Sequence, residues 1–157
     1  AKSAFNCNPI VIDIDDMKLD AAKENGASAV FNSTKPDAMQ EIIEYTGGGA
    51  LNAIDFVGSE LSVNFAINFL AKGGKYVIVG LYGGELKLPL PLIPIMERGI
   101  QGSYVGSPGD MSELMKLVRE NKIDPIPVQV RDASEASQTL QDLKDGTIIG
   151  RATLVHK

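Results

Sequence analysis

The sequence predicts an α/β fold: a doubly wound parallel sheet lacking its first strand, followed by a short C-terminal return segment. Three observations predict it. Short apolar runs alternate along the chain with amphipathic stretches of helical period. The first run, Ile10-Val11-Ile12-Asp13-Ile14, is rich in β-branched residues without polar alternation, as in strands covered on both faces. Glycines stand where helices must stop and where strands give way to loops.

Each element follows in order. Pro9 opens the first strand, residues 10–14. Residues 15–25 form a helix that Asp15 or Asp16 can cap, with Leu19 and Ala22 on one face and Gly26 as its stop. Ala29-Val30-Phe31 is a short second strand. Residues 36–45 are helical, with Met39, Ile42 and Ile43 on one side, and Gly47-Gly48-Gly49 ends them. The pattern then repeats. Residues 53–57 form a strand, Ser59 caps a helix running through Leu70 with Phe65, Ala66 and Phe69 inward, and Gly73-Gly74 terminates it. Tyr76-Val77-Ile78-Val79 is the fourth strand. Residues 88–95 are proline-rich and less regular, and residues 100–105 form the fifth strand. In the tail, residues 110–121 are a helix with Met111, Leu114, Leu117 and Val118 on one face, and Val128-Gln129-Val130 is a short strand. Asp132 and Glu135 have capping-box spacing ahead of a helix with Ala136, Leu140 and Leu143 on its stripe. Gly146 stops that helix, and residues 152–155 are the last strand.

The 157 residues suffice for about one domain. With 44% hydrophobic and 22% charged residues the chain is ordinary for a soluble globular protein. A formal net charge of −5 repels phosphate backbones and argues against nucleic-acid binding. No apolar run approaches the ~20 residues of a membrane span. The single cysteine, Cys7, excludes an internal disulfide and fits a reducing compartment, so a cytoplasmic location is expected. The chain opens on Ala1 rather than Met with no visible signal peptide, a hint of a start within a longer gene or of processing.

Asp13 is the sharpest chemical signal. It stands near the C-terminal end of a strand that feeds a helix, where doubly wound folds use a carboxylate to accept hydrogen bonds from the adenosine ribose. A carboxylate there also repels the extra phosphate of NADP, and no arginine follows to welcome it. The plainer alternative is that Asp13, Asp15 and Asp16 only complement a helix N-terminus. The Gly-x-Gly-x-x-Gly fingerprint that should precede such a carboxylate is absent. Gly47-Gly48-Gly49 lies downstream of Asp13 and reads as a helix stop, so the fingerprint is expected upstream of Ala1, with residues 1–6 as the end of the helix after it. Glycines after strands, at Val57-Gly58 and Val79-Gly80-Leu81, would let a flat ligand approach the backbone, although on position alone simple turn chemistry is the better reading. Arg151 is either a forked donor to a pyrophosphate or a solvated charge. One cysteine and one histidine, His156, cannot supply the three protein ligands of a catalytic zinc, and no Ser-His-Asp set forms around His156.

Together these segments resemble the medium-chain dehydrogenase/reductase superfamily, in its zinc-type alcohol dehydrogenase-like branch. The likeness runs through residues 11–19 and 22–27, Asp55-Phe56-Val57-Gly58, Gly73-Gly74 to Val79-Gly80, Ile100-Gln101-Gly102-Ser103-Tyr104-Val105-Gly106 and Gly150-Arg151-Ala152. The resemblance implies a Rossmann-like fold, with residues 1–104 a partial dinucleotide-binding domain and residues 105–157 a segment returning toward a catalytic domain. It implies that Asp13 and Lys18 hold the adenosine ribose, that Phe56, Val57, Val79, Leu81, Ser103 and Val105 line the nicotinamide side, and that Arg151 meets the pyrophosphate. The longer parent would move a hydride between NAD(H) and a small alcohol or carbonyl substrate, with zinc in that parent only, and this chain alone would be inactive. In the strand order 3-2-1-4-5-6 the first strand is central. Its absence predicts direct pairing of the Ile10 and Ala53 strands, a strand exchanged from another copy, or a chain that is only part of a longer one. Residues 86–96 read either as an edge that pairs between subunits, giving a homodimer, or as an internal loop. The rivals are a zinc-free quinone-reductase-like member, a methyltransferase, and a non-catalytic module that binds a nucleotide or associates with itself.

Overall fold

The computed structural model describes residues 2–120, 122, 123 and 126–156. They fall into two compact units, Asn8–Gly109 and Ala1–Cys7 with Asp110–Lys157. A one-turn helix, α1 (Lys2–Phe5), belongs to the second.

The Asn8–Gly109 unit alternates strand and helix: β1 (Ile10–Asp13), α2 (Asp16–Glu24), β2 (Ala29–Asn32), α3 (Ala38–Thr46), β3 (Ala50–Asp55), α4 (Glu60–Phe69), β4 (Leu70–Ile78), α5 (Leu92–Met96) and β5 (Gly99–Gly102). Every strand pairing is parallel. β1 lies beside β2 with Asp13 opposite Asn32, while β3, β4 and β5 form a second sheet with β4 in its middle. The expected direct pairing of the Ile10 and Ala53 strands does not occur. β1 and β3 each have one strand neighbour among the described residues. The burial follows from this. β1 is half-buried along its whole length, not covered as its composition predicts, and Leu51 and Ile54 on β3 are exposed.

One apolar core holds the unit. Ile42 of α3, Val63, Ala66, Ile67 and Phe69 of α4, and Leu70 and Tyr76 of β4 form it, with Ile10, Ile12, Phe31, Ala53 and Ile78 packed against it. Ile42 and Tyr76 have no exposed surface.

Local chemistry sets the boundaries. Asp15, not Asp16, caps α2, its side chain accepting from the Met17 amide. Gly47 ends α3 in the left-handed conformation. The helix expected to run through Leu70 stops one residue earlier, at Phe69, because Leu70 is already extended and pairs with Ala50 of β3. Gly73 and Gly74 therefore lie inside β4. The fifth strand ends at Gly102, short of Val105, whose φ of 46° leaves the extended region. Residues 86–96 carry the short helix α5, and the open edge of the sheet belongs to β5, all of whose residues are exposed.

The second unit contains most of α6 (Pro108–Arg119), then β6 (Val128–Asp132), a 3-10 turn (Ala133–Glu135), α7 (Ala136–Lys144) and β7 (Arg151–Val155). Asn121, at the expected end of its first helix, lies outside the described residues. β6 and β7 pair in parallel. The capping box forms as spaced: Asp132 accepts from Ser134, and Glu135 accepts from the Asp132 amide. Arg131 ties β6 to α7 through Asp142, at 2.6 Å, and also meets Thr139 and Gln129. No helix is long and apolar enough to cross a membrane among the described residues.

Two outcomes test this packing. Ile42→Ala should lower the stability of the Asn8–Gly109 unit by about 2–5 kcal/mol in urea unfolding, since a fully buried side chain leaves a cavity. A loss under about 1 kcal/mol would mean that the core collapses around the site. In the second unit, hydrogen bonds from Arg131 and Gln138 hold the Asp142 carboxyl below its ordinary value of 3.8. A carboxyl depressed on folding stabilises at pH values above its ordinary one, and that contribution is lost as pH falls through the folded value. Wild type should therefore lose stability below about pH 4 more steeply than Asp142→Asn, as followed by thermal unfolding.

Candidate functional site

In open parallel sheets ligands bind outside the carboxyl ends of the strands, so the loops after β1, β3, β4 and β5 are the places to look. Asp13 is the last residue of β1. Its Oδ1 accepts from the Ile14 and Asp15 amides, at 2.8 and 3.1 Å. Oδ2 accepts no hydrogen bond from the described residues, so one oxygen fixes the side chain and the other is without a partner among them. Lys18, one turn into α2, lies 3.9 Å from Asp15 and is half-exposed. It is tethered beside the loop and makes no ion pair with Asp13.

Asn32 completes this corner, and sequence reading passed over it. It is 8% exposed at the end of β2, donates to the Ile14 carbonyl (3.2 Å) and the Asp16 carboxylate (2.8 Å), and accepts from Thr34. It thereby holds the Asp13–Asp16 turn. Its one sequence signal was a polar residue placed directly after the apolar run Ala29-Val30-Phe31.

The loops after β3 and β4 are bound to each other. The Asp55 carbonyl accepts from the Val79 and Gly80 amides, the Val57 carbonyl from Tyr82, and the Gly58 carbonyl from Gly83, all at 2.9–3.1 Å. The approach is so close that a Cβ on Gly58 would sit 2.0 Å from the Gly80 carbonyl oxygen. Neither position accepts a side chain, which is the physical reason for both glycines. The outcome is a firm double loop whose apolar side chains point outward: Phe56 is 77% exposed, Leu81 78% and Tyr82 83%. Val57 is also exposed and Val79 half-buried. A cavity of about 300 Å³ runs along the same loops between Ser59, Val63, Ile78, Leu81 and Leu86.

Asp55 anchors this arrangement. Only 7% exposed, its carboxylate accepts from the Val57 and Gly58 amides at 2.8 and 3.0 Å through Oδ1, and from the Ser62 hydroxyl (2.7 Å) and the Tyr76 phenol through Oδ2. Burial pushes its carboxyl up, but the four hydrogen bonds outweigh burial and hold it below the usual carboxylate range. Burial and the adjacent carboxylate push the Tyr76 phenol well above its ordinary value, so it stays a donor.

Beyond β5, the Ser103 amide still pairs with the Ile78 carbonyl at 2.8 Å, and the residue is exposed. Val105 is exposed and holds a left-handed φ of 46°, a strained conformation for a β-branched residue that concentrates at functional loops. The structure thus brings Phe56, Val57, Val79, Leu81 and Ser103 onto neighbouring strand ends of one sheet. Asp13 sits at the end of the other. Arg151 opens β7 in the second unit with an exposed side chain, its amide held by the Pro127 carbonyl. Among the described residues no three His, Cys, Asp or Glu side chains gather as a metal site.

The chain is similar in sequence and fold to known proteins. The profile of the zinc-binding dehydrogenase family matches residues 1–120. The chain is 36% identical over 156 residues to an NAD-dependent alcohol dehydrogenase of Sulfurisphaera tokodaii, and 33% identical to one of Saccharolobus solfataricus, each match covering 99% of this chain and 45% of the relative. The chain therefore spans less than half the length of these relatives. In structure it is similar to the alcohol dehydrogenase of the archaeon Aeropyrum pernix, with a TM-score of 0.86 and 33% identity over 95% of this chain and 43% of that one. It is also similar to benzyl alcohol dehydrogenase of Acinetobacter calcoaceticus, with a TM-score of 0.81 and 26% identity over 93% and 42% of the two chains. With the profile covering most of its length and the doubly wound fold in place, this chain belongs to the zinc-binding dehydrogenase family.

Proposed function

We propose that this chain is the larger part of the NAD-binding domain of an alcohol dehydrogenase, and that the longer protein transfers a hydride between NAD(H) and a small alcohol or carbonyl substrate. The observation that carries this is the Asp13 corner. One carboxylate oxygen accepts two turn amides, the other accepts no hydrogen bond from the described residues, and Lys18 lies 3.9 Å from Asp15. Such a carboxylate accepts the two ribose hydroxyls of NAD and repels a 2′-phosphate. Residues 1–104 form the partial dinucleotide-binding domain in this reading, and residues 105–157 return toward the catalytic domain. The unpaired edges of β1 and β3 are where a further strand of the longer protein would pair.

The chain's own residues then divide the work. Asp13, with Lys18 beside it, holds the ribose. Phe56, Val57, Val79 and Leu81 offer a flat apolar surface to the nicotinamide, with Ser103 and Val105 at its far side, and Arg151 meets the pyrophosphate as a forked donor. The bound nicotinamide supplies the hydride acceptor, and the protein fixes its face and excludes water around it. Zinc does not fit this chain: it has one cysteine and one histidine, and among the described residues no three His, Cys, Asp or Glu side chains gather, so no step through zinc is assigned to these residues. The isolated chain is accordingly inactive in turnover. A homodimer built on the open β5 edge and a cytoplasmic setting complete the proposal.

Fluorescence titration of the chain with NADH and NADPH, beside Asp13→Ala, tests it. NADH should bind more tightly than NADPH. Asp13→Ala should weaken NADH by about ten-fold or more and erase the preference, the size of a lost charge-assisted hydrogen bond. Equal binding of both cofactors by wild type would reject the assignment of Asp13.

A further inference from the structure

We infer that Asp55 is a positioning residue, which through Tyr76 and Ser62 fixes the Val57–Gly58 turn on which the nicotinamide end of the cofactor rests; this builds on the NAD-binding reading above. The residue divides its contacts. Oδ1 takes both turn amides and Oδ2 takes both hydroxyls, so rotation of the carboxylate is blocked from the far side. Its backbone carbonyl takes the Val79 and Gly80 amides. One residue therefore holds both loops, the first by its side chain and the second by its main chain.

The arrangement is more than a helix cap. α4 already has one: Ser59 Oγ accepts the Ser62 amide and Ser62 Oγ accepts the Ser59 amide. Nor does it serve core packing directly. The side chains it steadies, Phe56 and Val57, point outward, at 77% and 52% exposed, and Leu81 on the partner loop is 78% exposed. Burying a carboxylate is costly unless it is fully hydrogen-bonded. Here a satisfied, buried carboxylate is used to make an outward-facing surface rigid, and rigidity of that kind matters where a ligand must be held in one orientation. Tyr76 transmits it: its ring is fully buried in the core and its phenol donates to Asp55, so the core itself braces the turn.

Tyr76→Phe tests this, since it keeps the buried ring and removes only the phenol. Two readouts on the 157-residue chain are needed. In amide hydrogen exchange followed by NMR, Tyr76→Phe should speed exchange at Val57 and Gly58 by about ten-fold, with Val63 of α4 unchanged. In binding, it should weaken NADH by about five-fold or more and leave ADP-ribose, which lacks the nicotinamide, unchanged. Unaltered exchange at Val57 and Gly58 would overturn the brace. Equal weakening of NADH and ADP-ribose would overturn the positioning role, because a merely structural loss affects both. Should Tyr76→Phe fail to fold, Asp55→Asn keeps the side chain's size, replaces one acceptor oxygen with a donor, and is read the same way. Wild type that binds NADH no better than ADP-ribose would sink the nicotinamide reading itself, a result visible before any variant is made.

Discussion

A parallel strand in the middle of a sheet needs hydrogen-bonding partners on both edges, and β1 and β3 each have one. Much of the rest depends on this. The strands divide into a pair and a trio, and what joins them within the Asn8–Gly109 unit is side-chain packing around Ile42, Phe69 and Tyr76. Strands with the composition of sheet centres are left half-buried or exposed, as at Ile54. In a protein of more than twice this length, as the relatives are, such edges have chain available to pair with them.

Polar groups set the shape of the strand ends that the core leaves open. At the β1–β2 corner Asn32 gathers the Asp13–Asp16 turn, and at the β3–β4 corner Asp55 gathers both following loops. The two corners work alike: a poorly exposed polar side chain uses all its hydrogen-bonding capacity on backbone and neighbours, and the segment beside it is made rigid. At Asp13 the rigid product is a carboxylate with one oxygen to offer. Beside Asp55 it is an apolar ledge. In the function we propose, the first meets a ribose and the second a flat aromatic ring.

Much of this was legible before the structure. The strand and helix alternation, the Asp15 cap, the Gly47 stop and the Asp132–Glu135 capping box all follow from chemistry within a few residues, and all form as read. Reading failed where a distant partner decided. Gly73-Gly74 looked like a helix stop, but the chain had already paired with Ala50, some twenty residues earlier, and the helix ended at Phe69. Tyr76 carried no local sign of its importance, and Asn32 only its place after an apolar run, since the Asp16 and Asp55 carboxylates they hold lie 16 and 21 residues away in sequence.

The sequence by itself determined the elements, their order and the acidic residue after the first strand, because helix periods, caps, stops and strand composition act over one or two turns of chain. Tertiary structure alone decided which strands pair, which edges stay open and which side chains Asp55 draws together. Those outcomes depend on contacts between residues far apart in the chain, and no local pattern encodes the distance between them.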